Sequence, residues 1–110
     1  MAGLRCGEVS PLAFEVLTEL VDGYLSVDDQ WCRAAMRRFA HPEPGDSAMV
    51  VGTSGAAGLA ALLSATESAE ARALLHVCAP RPAQRVLVIA TEGLTEPDLW
   101  RDITGLAPPA

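Results

Sequence analysis

Residues 86–93 read VLVIATEG, and the reading of that stretch decides the fold. Val86 to Ala90 form an unbroken apolar run that ends on a polar Thr-Glu-Gly turn. A run of that kind fits a strand buried on both faces, as in a parallel sheet covered by helices. It predicts a strand over 85–90. A weaker stretch, GYLSV from residue 23, predicts a short strand or extended link over 23–26. The rest reads as helix and loop, so the expected class is α/β. Two strands are too few for a sheet covered on both sides. The sequence therefore reads as part of a larger α/β domain.

The flanking segments carry helix signals. Ser10 is placed to cap a helix with Pro11 at its first position and Gly23 as its stop. SVDDQWCRAAMRRFA predicts a second helix, with Ser26 and Asp29 as an approximate capping box. Its early acids and late arginines suit the helix dipole. TESAEARALLHV predicts another, capped by Thr66. TEPDLWRDITGL predicts a last one, with Thr95 and Asp98 as its capping box. HPEPGDSA and APRPAQ are loops. No internal repeat is present, and 107–110 read as a frayed tail behind a single unit over 1–106.

VVGTSGAAGLAALLSA, residues 50–65, admits three readings. A phosphate-binding Walker loop requires a lysine, and all 8 Lys+Arg positions here are arginine. A dinucleotide fingerprint requires glycines two and then three apart, whereas Gly52, Gly55 and Gly58 are three and three apart. A membrane span is opposed by the Ala/Gly composition and by the lack of basic or aromatic anchors at its ends. What fits is a buried helix over about 54–65, capped by Ser54 and starting at Gly55. Ser54, Gly58, Ala61 and Ala65 then make a stripe of small residues, with Leu59, Leu62 and Leu63 beside it. Small residues permit close approach. The free amides of the first turn would face an anion or a polar ring.

Composition excludes several classes. A net charge of −6 argues against nucleic acid and anionic membrane as partners. Half the residues are hydrophobic, which supports a packed core over disorder. The first ten residues contain no apolar run of signal-peptide length. Cys6, Cys32 and Cys78 are odd in number and widely spaced, which suggests reduced thiols and a cytoplasmic location.

Chemistry-bearing residues are few. Thr91 ends the predicted strand, where ligands of open α/β sheets bind. On pattern alone, a hydrogen bond to its own turn is the plainer role. Glu8 and Glu92 are candidate acid/base groups, and a solvated carboxylate is the plainer reading of each. His76 and Cys78 are two apart, which splays them on a helix, so no metal site is expected there. Trp31 and Trp100 read as packing anchors, and His41 as exposed.

Three motifs in order, MAGLRCGEVSPLAFEVL, GTSGAAGLAALL and VLVIATEG-LTEPDLW, resemble the C-terminal part of diaminopropionate ammonia-lyase. That family lies among the fold-type II pyridoxal-phosphate enzymes. The resemblance runs from Met1 to about Leu106. It implies a partial three-layer α/β/α domain and a homodimer. It also implies an α,β-elimination of 2,3-diaminopropionate to pyruvate and ammonia. The cofactor implied is pyridoxal 5'-phosphate. By that resemblance Gly52, Ser54 and Gly55 lie beside the cofactor ring, and Thr91 is the hydroxyl that meets the pyridine nitrogen. Glu8 becomes a substrate contact. Thr53 stands where the family usually has Glu, and Val9 where it often has Pro.

No catalytic residue is assigned to this chain. The family's Schiff-base lysine, glycine-rich phosphate loop and catalytic aspartates lie upstream of the matched region. With no lysine at all, the chain holds no cofactor covalently through a side chain. The expectation is a fragment of a lyase, inactive alone and partnered by the remainder of the lyase chain or a homologous subunit. Self-association is also expected. The alternative is a stand-alone non-catalytic module that binds or regulates a full-length relative.

Overall fold

The computed structural model describes residues 1–78 and 85–109. Among them are five α-helices: α1 (Pro11–Leu20), α2 (Asp29–Ala40), α3 (Ala57–Ser64), α4 (Ala69–Cys78) and α5 (Pro97–Thr104). A three-residue 3-10 turn, Ala2–Leu4, precedes them. The predicted loop over 79–84 and residue 110 lie outside the described residues.

The α/β expectation is overturned: among the described residues there is no strand, and the fold is helical. With no sheet there is no three-layer α/β/α arrangement either. The predicted strand over 85–90 is extended but unpaired, and it is not buried on both faces. Val86, Leu87 and Ile89 are 56%, 85% and 69% exposed. Val88 alone of that run is half-buried, against the bare backbone of Gly58 in α3. A strand requires a neighbouring backbone to share its N–H and C=O groups. None of the described residues offers one to residues 86–91. The 23–26 stretch is likewise an extended link, with Gly23 close against Leu74 of α4.

The core forms on α2, which packs against α3 and α5. It gathers Cys32, Ala35, Met36 and Ala40 of α2, then Val51 and Ala56 ahead of α3, Ala60 of α3, and Trp100 and Ile103 of α5. Ala35, Ala56 and Ala60 are fully buried, so small side chains let the α2 and α3 backbones approach closely. Ala56 and Ala60 face the core, while of the predicted stripe Ser54 and Ala65 are buried, Ala61 is half-buried and Gly58 is exposed with its bare backbone against Val88. Met36 is the largest fully buried side chain. Truncating such a residue typically costs about 2–5 kcal/mol. His41 Nε2 lies 2.8 Å from the Thr104 carbonyl oxygen and ties the end of α2 to the end of α5.

The helix ends follow the sequence signals in part. Pro11 opens α1 as expected, and Ser10 Oγ accepts from the Ala13 amide at 3.5 Å. Gly105 closes α5 in the left-handed conformation at φ 75°, where glycine carries no steric penalty. Other caps differ. Ser68, not Thr66, caps α4 by accepting from the Ala71 amide at 3.2 Å. α3 begins at Ala57, two residues after the predicted start, because residues 53–56 form a turn with a different partner. α1 contains no buried residue, and Leu12 and Leu20 are largely exposed.

Candidate functional site

The segment Val51–Ala56 is buried throughout, although it is mostly a turn. Its backbone N–H groups must find acceptors, because an unpaired buried amide is costly. The Ala56 amide donates to the Gly52 carbonyl, while those of Gly52, Ser54 and Gly55 find their acceptors on one residue far along the chain. The Glu92 carboxylate Oε2 accepts from the Ser54 amide at 2.6 Å and from the Gly55 amide at 3.2 Å. The Glu92 carbonyl oxygen accepts from the Gly52 amide at 3.0 Å. Its other carboxylate oxygen, Oε1, accepts from the Thr95 hydroxyl at 2.7 Å.

This clasp explains two of the glycines. A Cβ on Gly55 would lie 2.5 Å from the Glu92 carbonyl oxygen and 2.7 Å from its nitrogen. A Cβ on Gly52 would collide with the Gly93 carbonyl and lie 2.8 Å from Glu92 Oε2. Both contacts are with the clasp itself, so the small residues are there to admit the chain's own turn. The amides that the sequence reading directed at an outside anion are held by an internal one.

The electrostatics agree. The Thr95 hydroxyl, followed by the Ser54 and Gly55 amides, holds the Glu92 carboxyl below the ordinary carboxylate range, against the opposing effect of burial. Glu92 is thus an ionised hydrogen-bond acceptor with both oxygens engaged, and not the solvated carboxylate that the sequence suggested. Thr95, predicted to cap α5, donates to Glu92 instead. α5 begins with no side-chain cap bond, and Asp98 pairs with Arg101 at 2.6 Å.

The four residues proposed around a cofactor are neighbours in space. Gly52, Ser54 and Gly55 meet residue 92, and Thr91 is one peptide away. Thr91 is exposed and makes no hydrogen bond among the described residues. The N-terminal motif also reaches the loop, since a Cβ on Gly3 would lie 2.9 Å from Ser54 Oγ. Glu8 is exposed and makes no hydrogen bond or ion pair among the described residues. The Thr53 and Ser54 hydroxyls are buried without a partner among the described residues. The cavity bordered by Gly52, Thr53, Gly93 and Trp100 is about 10 Å³. That is room for about one water molecule. A pyridine ring does not fit there, and the clasp fills the amides beside it.

What this geometry defines is a helical unit that closes a glycine-rich turn on an internal carboxylate and presents one free hydroxyl at its edge. The chain has no lysine, so it carries no amine side chain for carbonyl chemistry. Comparison with known proteins gives the unit a relation. It is homologous to one stretch of diaminopropionate ammonia-lyase from Escherichia coli K12, at 34% identity over 103 residues, 94% of this chain and 26% of the relative. The diaminopropionate ammonia-lyase of Salmonella typhimurium LT2 gives 34% over 104 residues, with the same shares of each chain. The chain thus spans about a quarter of the length of the curated relatives it matches. No family model matches the chain, and no solved structure does. Among the described residues, no helix is long and apolar enough to cross a membrane.

Proposed function

We propose that this chain is the C-terminal portion of a pyridoxal-phosphate-dependent ammonia-lyase of the diaminopropionate type, and that it does not turn over substrate alone. The observation that carries the reading is the match over 94% of this chain to only 26% of the lyase, in a sequence with no lysine. The cofactor in such enzymes serves as an electron sink for elimination. A lysine for it, and a glycine-rich loop for its phosphate, have to come from the remainder of the lyase chain or from a homologous subunit. This chain contributes the exposed Thr91 hydroxyl, held at the edge of the closed turn of Gly52, Ser54 and Gly55. In the assembled enzyme the Thr91 hydroxyl would meet the ring nitrogen, which a hydroxyl does not readily protonate. Glu8 lies on the substrate side. The setting is cytoplasmic.

The test is direct. The purified chain is mixed with pyridoxal 5'-phosphate and diaminopropionate, with its N-terminal amine blocked. Neither the absorbance of a lysine imine nor release of ammonia is expected. Supplying the remaining three quarters of a lyase chain should restore both, and Thr91→Val in that complex should weaken cofactor affinity or elimination. One lost hydrogen bond corresponds to about 1 kcal/mol. Turnover by the chain alone overturns the reading.

A further inference from the structure

The loop 52–55 and the turn 91–95 are brought together by one residue. Among the described residues, every hydrogen bond between them ends on Glu92: two on its carboxylate and one on its carbonyl. Among the described residues Thr91 has no hydrogen bond of its own to fix it. It is one trans peptide from Glu92, a Cα separation of about 3.8 Å. Whatever holds residue 92 therefore sets where the Thr91 hydroxyl stands relative to Ser54.

We propose that Glu92 is a positioning residue: it clasps the Gly52–Gly55 loop and so sets where the exposed Thr91 hydroxyl stands at the edge of that loop. The proposal rests on reading the exposed Thr91 hydroxyl as the ligand-facing group. Side-chain chemistry supports the specific role. Oε2 takes two consecutive amides while Oε1 takes a hydroxyl, so the function requires a planar group with acceptors on two sides. It also requires the full length of glutamate, because Oε2 must reach Ser54 at 2.6 Å while the carbonyl of the same residue holds Gly52 at 3.0 Å. Aspartate, one methylene shorter, cannot do both. Glutamine keeps the length and shape: its oxygen can serve the amides and its NH₂ group can meet Thr95. It lacks the charge that strengthens such bonds.

The test uses the 110-residue chain in solution, followed by NMR across pH. The reporters are the Ser54 and Gly55 amide protons and the Thr91 methyl. The Trp100 indole and Ile103 methyl report on the core. Other ionisable groups border the site. They are Glu96 at the start of α5 and the Met1 amine, Asp29, Cys32 and Arg33 around the cavity by Thr53. The loop carries none between Asp46 and Glu67. The expected result is one shared midpoint for Ser54, Gly55 and Thr91, and its loss from all three in Glu92→Gln. In Glu92→Asp the Thr91 methyl should leave its native position while the Trp100 and Ile103 signals stay. A role confined to the loop would leave Thr91 unmoved, and that result, or a separate Thr91 midpoint, overturns the proposal. Should the aspartate variant lose the core signals, the pH comparison of the native chain with Glu92→Gln still decides: a Thr91 methyl that does not titrate with Ser54 and Gly55 overturns the proposal. Thr91→Val in the assembled lyase examines the underlying reading separately. If cofactor affinity is unchanged while Thr91 still follows Glu92, the ligand role fails and the clasp stands.

Discussion

Gly55→Ala is the sharpest perturbation of the clasp. The added methyl would lie 2.5 Å from the Glu92 carbonyl oxygen, 2.7 Å from its nitrogen and 3.1 Å from its Cα. All three are backbone atoms, so no flexible side chain can swing aside. Reaching an ordinary contact of 3.4 Å requires a shift of about 0.9 Å at the closest atom. A shift of that size removes the 2.6 Å and 3.2 Å bonds to the Ser54 and Gly55 amides. Overpacking of this kind costs about 1–3 kcal/mol. Hydrogen bonds to a charged acceptor add about 1.5–3 kcal/mol. Stiffening the unfolded chain returns only about 0.4–1 kcal/mol. The net expectation, allowing for partial relaxation, is a loss of about 2–4 kcal/mol. Gly93→Ala is the internal control, because a methyl there meets nothing within 4 Å. It should be neutral or slightly stabilising. Urea unfolding followed by tryptophan fluorescence reads the difference. With a slope of about 1–3 kcal/mol/M, a 3 kcal/mol loss lowers the midpoint by about 1–3 M. Equal midpoints for the two variants would refute the claim that Gly55 exists to admit the Glu92 backbone.

Two further outcomes follow from the same geometry. Glu92 is held below the ordinary carboxylate range in the folded state, so its contribution is full above the unfolded value of about 4.3 and is lost as pH falls through the folded value. Glu92→Gln should therefore lower the unfolding midpoint at pH 7, and its difference from the native chain should shrink as pH falls towards 3. Leu87→Asp tests the exposed apolar run: the side chain is 85% exposed, so stability should change by about 0.5 kcal/mol or less, while self-association in sedimentation should weaken.

The clasp was only partly legible in the sequence. The glycines at 52 and 55 announced close approach, and the need for an acceptor at those amides followed from the chain's own stereochemistry. That the acceptor is Glu92, 37–38 residues away, had no local signal. A Glu-Gly pair after an apolar run looks the same whether its carboxylate is solvated or buried against amides. Thr95 shows the same limit, since its spacing to Asp98 mimics a capping box while its hydroxyl serves Glu92.

By itself, the sequence determined roughly where the helices lie, that Pro11 opens α1, and that a chain with no lysine carries no amine side chain for a cofactor. Those features depend on neighbours along the chain, on backbone angles and on composition. Only the tertiary structure decided that the 85–90 run is an unpaired extended segment and not a strand. It also decided that Ala56 and Ala60 face the core and that Glu92 fills the glycine turn. The physical reason is that a strand, a buried helix face and an internal ion contact are each defined by a second partner. An apolar run records only a residue's readiness to be buried, and the partner's position is fixed when the whole chain packs.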